Sequence, residues 1–241
     1  MFFLVIQSLL RQFGQSLNTR ASTKLILSKL DFLSEIKAYL RDINLDILMN
    51  CPDVKIDISK RYNTRFRLFY PNRKLIKYVT KIGGVLTGSR AIRCYTIRGK
   101  PILGRPVTDW DFIVTLDMAF KICADLGIDQ IPKIDSVISI KNQRMWRHPD
   151  YSDSYRVGPV DVQLIIKEEL PDFTERGGVR ISNFGYSVSQ KLGLTTDLSN
   201  KLSKPNPPGT NGILAQEYTK HVSDLKEMII KFNSLKWKQP V

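Results

Sequence analysis

The sequence has few of the side chains that many metal and nucleophilic sites require. Its 241 residues include two histidines, His148 and His221, and three cysteines, Cys51, Cys94 and Cys123. Widely spaced cysteines in odd number form neither a disulfide framework nor a zinc motif, and they indicate an intracellular, reducing compartment. Two isolated histidines exclude a histidine-rich metal centre, and neither lies in a recognisable hydrolase motif.

Long apolar runs are also missing. No stretch approaches the roughly 18 consecutive apolar residues of a membrane-spanning helix, so we expect no integral membrane association. The hydrophobic share of 42% and the charged share of 25% exclude a wholly disordered chain. A chain of this length can bury the core of one large domain, or of one core with an appendage, without disulfides.

Acidic residues are absent from one long segment, residues 60–108, which we call the basic stretch. It carries thirteen lysines and arginines, so it accounts for most of the net charge of +14. Such a one-sided field attracts polyanions: nucleotides, nucleic acid or an anionic membrane surface. Aromatic residues such as Tyr62 and Phe66 are interleaved with the charge, as in proteins that bind single-stranded nucleic acid. We therefore expect a nucleotide or nucleic-acid partner; the alternative is a solvated basic face.

The first thirty residues contain neither Asp nor Glu, and their basic residues are mixed with Ser, Thr and Leu. This composition is compatible with a mitochondrial presequence. The alternative is an ordinary N-terminal helix whose apolar side chains pack against a core. Both alternatives stay open at this point.

Helical and strand patterns are interspersed along the rest of the chain, which predicts a mixed α/β (α+β) fold. We expect an N-terminal helical and hairpin region over 1–72, a core over 73–170 and a C-terminal extension with a terminal helix over 171–241. Strands are predicted at 54–58, 66–68, 85–87, 109–115 and 160–166, helices at 22–40, 73–82, 90–95, 118–126 and 216–232, and a linker at 201–212. Gly177-Gly178 predicts a turn into a further strand.

Three carboxylates stand where they could meet. Asp109 and Asp111 lie at the head of a predicted strand and project to the same side of it, about 6.6 Å apart along the strand. Asp161 lies in a later predicted strand, with Asp117 and Glu168 as alternative third acids near strand ends. If the two strands are neighbours, three carboxylates converge, and oxygen ligands of this kind suit Mg²⁺ or Mn²⁺.

A Gly-Ser pair supplies the other half of the pattern. Gly88 and Ser89 stand between a short apolar strand and a helix, where glycine lets a phosphate approach the backbone and the free N–H groups favour an anion. Ser89 adds a hydroxyl. Arg90, Arg93 and Arg105 are available to neutralise a triphosphate lying between this turn and the metals, and surface charges are their alternative role.

Together, these segments resemble the DNA polymerase beta-like nucleotidyltransferase superfamily. The strand with Gly-Ser is VLTGSRA, the Asp-x-Asp strand is TDWDFIV and the strand with the third carboxylate is VDVQLI, all within residues 83–166. The stretch LGRPVTDWDFIVT is especially similar to the tRNA CCA-adding and poly(A) polymerase branch. That branch usually has Gly-Gly where this chain has Gly88-Ser89, and Arg-Asp where it has Arg93-Cys94.

The resemblance implies the nucleotidyltransferase fold, a small mixed sheet flanked by helices with N-terminal and C-terminal additions. It also implies metal-dependent transfer of a nucleoside monophosphate from a nucleoside triphosphate to a nucleic-acid 3′ end, with RNA the expected acceptor. Asp109, Asp111 and Asp161 would hold the ions, and Asp161 would help to deprotonate the attacking hydroxyl. A small-molecule or protein acceptor and a catalytically silent nucleic-acid-binding or assembly component are the alternatives.

Overall fold

A computed structural model describes residues 34, 51–61, 72–107, 109–140, 162–205, 210–233 and 235. The chain divides into two compact units, Met1–Tyr39 and Leu40–Val241. Ser34, which is helical, represents the first unit, and every other described residue belongs to the second. The acid-free N-terminal segment, for which a presequence and a helix are the alternatives, lies outside the described residues, as do most of the helix over 22–40, the strand over 66–68 and Asp161.

The described residues form nine strands, five α-helices and one 3-10 helix. The strands are β1 (Val54–Ile56), β2 (Val85–Thr87), β3 (Tyr95–Ile97), β4 (Lys100–Pro101), β5 (Trp110–Thr115), β6 (Val137–Ile140), β7 (Val162–Lys167), β8 (Phe173–Arg176) and β9 (Val179–Ser182). The α-helices are α1 (Asn72–Ile82), α2 (Gly88–Cys94), α3 (Leu116–Leu126), α4 (Phe184–Leu202) and α5 (Thr210–Asn233), and the 3-10 helix is Ile58–Arg61. In this part of the chain, every helix is too short or too polar to cross a membrane.

Six strands form one mixed sheet in the order β6-β7-β5-β2-β9-β8. The pairs β5–β7 and β2–β9 are parallel, and the other three pairs are antiparallel. Helix α3 packs against β5 and β7, while α4 packs against α2 and α5. The predicted mixed α/β class, with a mixed sheet flanked by helices, is confirmed.

The core of this sheet follows from the alternation of side chains along its central strands. Trp110, Phe112 and Val114 of β5 are buried, and so are Val162 and Leu164 of β7. In β7 the alternate residues are half-buried, as expected for a strand with one face on a core. The apolar face therefore fixes the register of the two strands, and with it the direction in which the intervening polar side chains project.

The sheet crosses the predicted boundary at residue 170. Strand β9, from the predicted C-terminal extension, pairs with β2 of the predicted core, so that Leu86 lies opposite Ile181. Gly177 and Gly178, both with positive φ, form the predicted turn between β8 and β9.

Strand β1 belongs to a three-stranded sheet in the order β1-β3-β4, and the strand predicted to follow it at 66–68 lies outside the described residues. Val54 pairs with Ile97 of β3, and the 3-10 helix that follows β1 ends at Arg61. Helix α2 is followed at Tyr95 by β3, a strand of the three-stranded sheet and not of the six-stranded one. The segment between β4 and β5 ends at Asp109, which immediately precedes β5.

Candidate active site

The Gly-Ser turn and the Asp-x-Asp strand lie side by side. Thr87, the last residue of β2, pairs with Asp111 of β5, so Gly88 lies beside the Asp111 side chain. Gly88 has a φ of 66°. A β-carbon there would collide with the Asp111 carboxylate oxygen Oδ2. Glycine is therefore required at this position both for its backbone conformation and for its small size.

Asp109 and Asp111, which we call the carboxylate pair, influence each other electrostatically. Asp109 immediately precedes β5, and Asp111 is the second residue of that strand. Burial, followed by the negative charge of Asp109, raises the pKa of Asp111 to about 6, and Arg90, Lys191 and Lys220 only partly oppose the rise. A cation offsets the cost of ionising a carboxylate that is buried beside a second negative charge, so these oxygen donors fit a divalent ion.

The third predicted ligand lies outside the described residues. Strand β7, whose description begins at Val162, is the parallel neighbour of β5, and Gln163 lies opposite Asp111. Convergence of the three carboxylates requires these two strands to be adjacent, and they are. In the described part of the chain, no three His, Cys, Asp or Glu side chains are grouped so that they could hold a metal ion.

The alternative third acids lie at the wrong end of the sheet. Asp117 follows the C-terminal end of β5, and Glu168 follows the C-terminal end of β7. Asp111 lies near the N-terminal end of β5, and a strand rises roughly 3.3 Å per residue. Both alternatives are therefore separated from the carboxylate pair by most of the length of β5.

Ser89 belongs to a buried polar group that we call the Asp224 cluster: Ser89, Arg105, Lys191, His221 and Asp224. The ammonium group of Lys191 donates to Ser89 Oγ at 2.9 Å and to Asp224 Oδ2 at 2.5 Å, and it lies 3.1 Å from Nδ1 of His221. Arg105 binds both carboxylate oxygens of Asp224, at 2.5 and 2.6 Å, and its Nη2 lies 3.3 Å from Ser89 Oγ. Two cations thus share one carboxylate beside the Gly-Ser turn.

The titration behaviour of the cluster follows from this arrangement. Burial alone would raise the pKa of Asp224, but the hydrogen bonds and charges of Arg105 and Lys191 outweigh it and lower that pKa. Burial, followed by the charges of Lys191 and Lys220, lowers the pKa of His221 to about 4. At neutral pH the imidazole is therefore uncharged, its Nδ1 can accept from Lys191, and the cluster keeps an excess of positive charge.

A chain of polar contacts fixes α4 on the sheet and so places Lys191. Thr87 donates to the side-chain oxygen of Gln190 at 2.6 Å, and Gln190 donates to the Tyr186 hydroxyl at 3.3 Å. Ser182 of β9 contacts both Thr87, at 3.2 Å, and Ser187, at 2.7 Å. Because Thr87 also pairs with Asp111, the same residue connects the carboxylate pair and the helix that carries Lys191.

The three arginines predicted to bind substrate have internal partners. Arg90 and Arg93 donate to main-chain carbonyl oxygens, including that of Asp109 at 2.7 Å from Arg90 and that of Arg105 at 2.6 Å from Arg93. Arg105 is part of the Asp224 cluster, with 27% of its side chain exposed. The structure therefore brings Arg105 to the Gly-Ser turn, whereas Arg90 and Arg93 bind main-chain carbonyls within residues 103–109.

Sequence reasoning missed Lys191, His221 and Asp224. Lys191 lies in α4, a helix that was not predicted. Asp224 and His221 lie on the buried face of α5, among Val222, Leu225 and Met228. A charged residue on the apolar face of an amphipathic helix is the signal that could have revealed Asp224, because such a residue is almost always paired.

Comparison with known proteins adds no further constraint: no family model, curated protein or solved structure matches the chain.

Proposed function

We propose that the protein is a metal-dependent nucleotidyltransferase of the polymerase beta-like fold. It would transfer a nucleoside monophosphate from a nucleoside triphosphate to a nucleic-acid 3′ end, with RNA as the expected acceptor. The acceptor hydroxyl oxygen forms a bond to the α-phosphorus, the bond to the β-phosphate oxygen breaks, and pyrophosphate leaves.

One observation carries the proposal: the pairing of Thr87 with Asp111, which sets the Gly-Ser turn directly against the carboxylate pair. A triphosphate needs cations at its reacting end and donors at its terminal end. The carboxylate pair, beside Gly88, and the Asp224 cluster, which includes Ser89, would supply these two features at the Gly-Ser turn.

At the reacting end, Asp109 and Asp111 would hold Mg²⁺ or Mn²⁺, and Asp161 would be the third ligand and assist removal of the hydroxyl proton. The raised pKa of Asp111 supports this assignment, because a bound cation would offset the cost of ionising that carboxylate. When bound, the metal supplies Lewis-acid polarisation of the phosphate oxygens.

At the terminal end, the Asp224 cluster would hold the β- and γ-phosphates. Lys191 is 5% exposed, so it acts through the Ser89 hydroxyl that it contacts, while the half-buried Arg105 offers a guanidinium edge toward the turn. The uncharged His221 adds no positive charge of its own at neutral pH. The net positive charge of the cluster would favour phosphate oxygens without requiring a histidine as a proton donor.

An extension assay tests the proposal. Wild-type protein receives each α-labelled nucleoside triphosphate, Mg²⁺ or Mn²⁺, and mixed RNA and DNA oligonucleotides, beside an Asp109→Ala/Asp111→Ala variant. Label that enters the oligonucleotides with wild type alone supports the proposal. No incorporation, with oligonucleotide binding unchanged in the variant, would indicate the catalytically silent nucleic-acid-binding alternative.

A transferase with a small-molecule or protein acceptor is the second candidate, and the direction of the basic side chains favours it. Arg90, Arg93 and Arg105 of the basic stretch turn inward, while Arg98 and Lys60 pair with neighbouring aspartates. Fewer basic side chains of this stretch are thus available to bind a phosphate backbone than its composition alone indicates. Label appearing in the protein or metabolite fraction of a cell extract, with salt-insensitive kinetics, would favour this candidate over RNA.

A further inference from the structure

Two arginines one helical turn apart on α2 are buried and bind the backbone. Arg90 is 3% and Arg93 is 9% exposed. Two hydrogen bonds of each side chain end on carbonyl oxygens within residues 103–109, and one of each ends on the 3-10 helix at Lys60 or Arg61. A planar guanidinium presents several donors in fixed directions, which suits it to holding irregular backbone in one conformation.

Arg90 holds the segment that leads into the carboxylate pair. Its Nε donates to the carbonyl of Asp109 at 2.7 Å, Nη2 to that of Val107 at 2.6 Å, and Nη1 to that of Arg61 at 2.5 Å. The guanidinium carbon also lies 4.1 Å from the centre of the Trp110 ring. Arg90 therefore fixes the backbone just before β5 through the carbonyls of Val107 and Asp109, and it contacts the first side chain of that strand, Trp110.

Arg93 holds a different segment. Its Nη1 donates to the carbonyl of Leu103 at 2.8 Å and to that of Arg105 at 2.6 Å, and its Nε donates to that of Lys60 at 3.3 Å. Arg105 in turn donates two hydrogen bonds to the carboxylate of Asp224. Arg93 therefore fixes the backbone of the residue that reaches the Asp224 cluster.

We infer that Arg90 and Arg93 are positioning residues for separate halves of the site: Arg90 for the carboxylate pair and Arg93 for Arg105 of the Asp224 cluster. The functional meaning of this division rests on the proposed function, whereas the division itself is a property of the fold. Lysine keeps the charge at either position but cannot reproduce three donors in one plane. Arg90→Lys and Arg93→Lys are thus matched variants, and each is the control for the other.

The first experiment is independent of metal and of activity. Carbon-13 NMR spectra of protein labelled at the aspartate carboxyl carbon are recorded for wild type and both variants, with signals assigned by aspartate-to-asparagine substitutions. We expect Arg90→Lys to shift the signals of Asp109 and Asp111 and to leave Asp224 in place. We expect Arg93→Lys to do the reverse. Equal shifts of all three signals in both variants, or no shift in either, would overturn the inference.

The second experiment measures the binding of the metal ion and the binding of the nucleotide separately. Mn²⁺ binding is followed by electron paramagnetic resonance, and binding of a non-hydrolysable ATP analogue is followed in EDTA. We expect Arg90→Lys to weaken Mn²⁺ binding by roughly 10-fold, the lower end of the effect of residues that orient metal ligands. Analogue binding should stay at the wild-type level. Arg93→Lys should weaken analogue binding and leave Mn²⁺ binding unchanged.

The two experiments separate failure of the inference from failure of the proposed function. Wild type that binds no Mn²⁺, together with the expected NMR pattern, would remove the metal site and leave the positioning roles intact. Normal Mn²⁺ binding and unshifted Asp109 and Asp111 signals in Arg90→Lys would remove the positioning role alone. If circular dichroism shows that Arg90→Lys does not fold, Arg90→Gln, which keeps an amide NH2 group as hydrogen-bond donor, takes its place in both experiments with the same expected results.

Discussion

The carboxylate of Asp111 occupies the space that a side chain on Gly88 would need, so the two residues cannot be changed independently. Gly88 has a positive φ, which glycine adopts without strain, and Asp111 Oδ2 lies where a β-carbon of residue 88 would be. The turn and the carboxylate are therefore one structural unit, although 22 residues separate the two positions in the sequence.

This contact predicts the effect of Gly88→Ala. Gly99→Ala is the matched control, because Gly99 also has a positive φ, of 74°, but a β-carbon there meets no atom within 4 Å. We expect Gly99→Ala to lower the free energy of unfolding by about 1 kcal/mol, the cost of a left-handed backbone for alanine. Gly88→Ala should cost more and should also abolish Mn²⁺ binding, because Asp111 must move. Chemical denaturation and Mn²⁺ titration measure both; equal behaviour of the two variants would contradict the prediction.

The predictable part of the site is the part coded by local sequence. Gly88-Ser89 and the alternation of Asp109 and Asp111 with Trp110 and Phe112 are visible without tertiary information, because turn chemistry and strand periodicity act over a few residues. The register between β2 and β5 cannot be obtained in this way. This register depends on the pairing of two strands that are separated in the chain by β3 and β4, and no local sequence pattern specifies that pairing.

Helix α4 was missed because its buried face is polar. Hydrophobic periodicity detects a helix whose core face is apolar. The buried face of α4 instead includes Ser187, Lys191, Thr195 and Ser199, which lie four residues apart. Lys191 contacts Ser89 and Ser187 contacts Ser182, so part of the polarity that hides the helix from a hydrophobic pattern belongs to the candidate site and its support.

The basic stretch shows a similar limit. Its composition predicts a polyanion-binding surface, yet Arg90 and Arg93 lie inside the fold, where their donors saturate carbonyl oxygens of irregular loops. Net charge is a property of the sequence, whereas the direction of each guanidinium is decided by the loops that it supports.

The raised pKa of Asp111 predicts that Asp111→Asn stabilises the metal-free protein. The unfolded carboxyl group ionises near its ordinary pKa of 3.8, whereas the folded one ionises near 6. Stability is therefore lost as the pH rises through this interval, and the loss is complete above pH 6. We expect Asp111→Asn to recover on the order of 3 kcal/mol at pH 7.5, since each unit of pKa difference corresponds to about 1.4 kcal/mol. Chemical denaturation at pH 4 and pH 7.5 measures the gain, which should vanish at pH 4.

Mg²⁺ should offset the same cost in wild type. Addition of the ion should raise the melting temperature of wild type at pH 7.5 and leave that of Asp111→Asn unchanged. An equal rise in both proteins would indicate that the ion binds elsewhere.

The buried pair of Lys191 and Asp224 predicts a large effect of Lys191→Met. The two side chains are 5% and 1% exposed, and removing one partner of a buried pair costs about 3 kcal/mol at the lower end of measured values. We expect that lower end, because Arg105 still binds Asp224. Lys121→Met is the control: Lys121 pairs with Asp125 on the surface, where a pair contributes about 1 kcal/mol at most. Lys191→Met, and not the control, should also weaken binding of the ATP analogue.

The lowered pKa of His221 predicts a loss of stability in mild acid. Unfolded histidine binds a proton near pH 6.5, whereas His221 in the folded protein does so only near pH 4. Its contribution to stability is therefore complete above pH 6.5 and is lost progressively as the pH falls to 4. His221→Asn keeps an acceptor for the Lys191 ammonium but cannot titrate. The free energy of unfolding of wild type, relative to that of His221→Asn, should thus fall between pH 7 and pH 4, when both are measured by urea denaturation. A difference that stays constant over this range would mean that the imidazole is accessible to protons in the folded state, and that Lys191 does not hold it neutral.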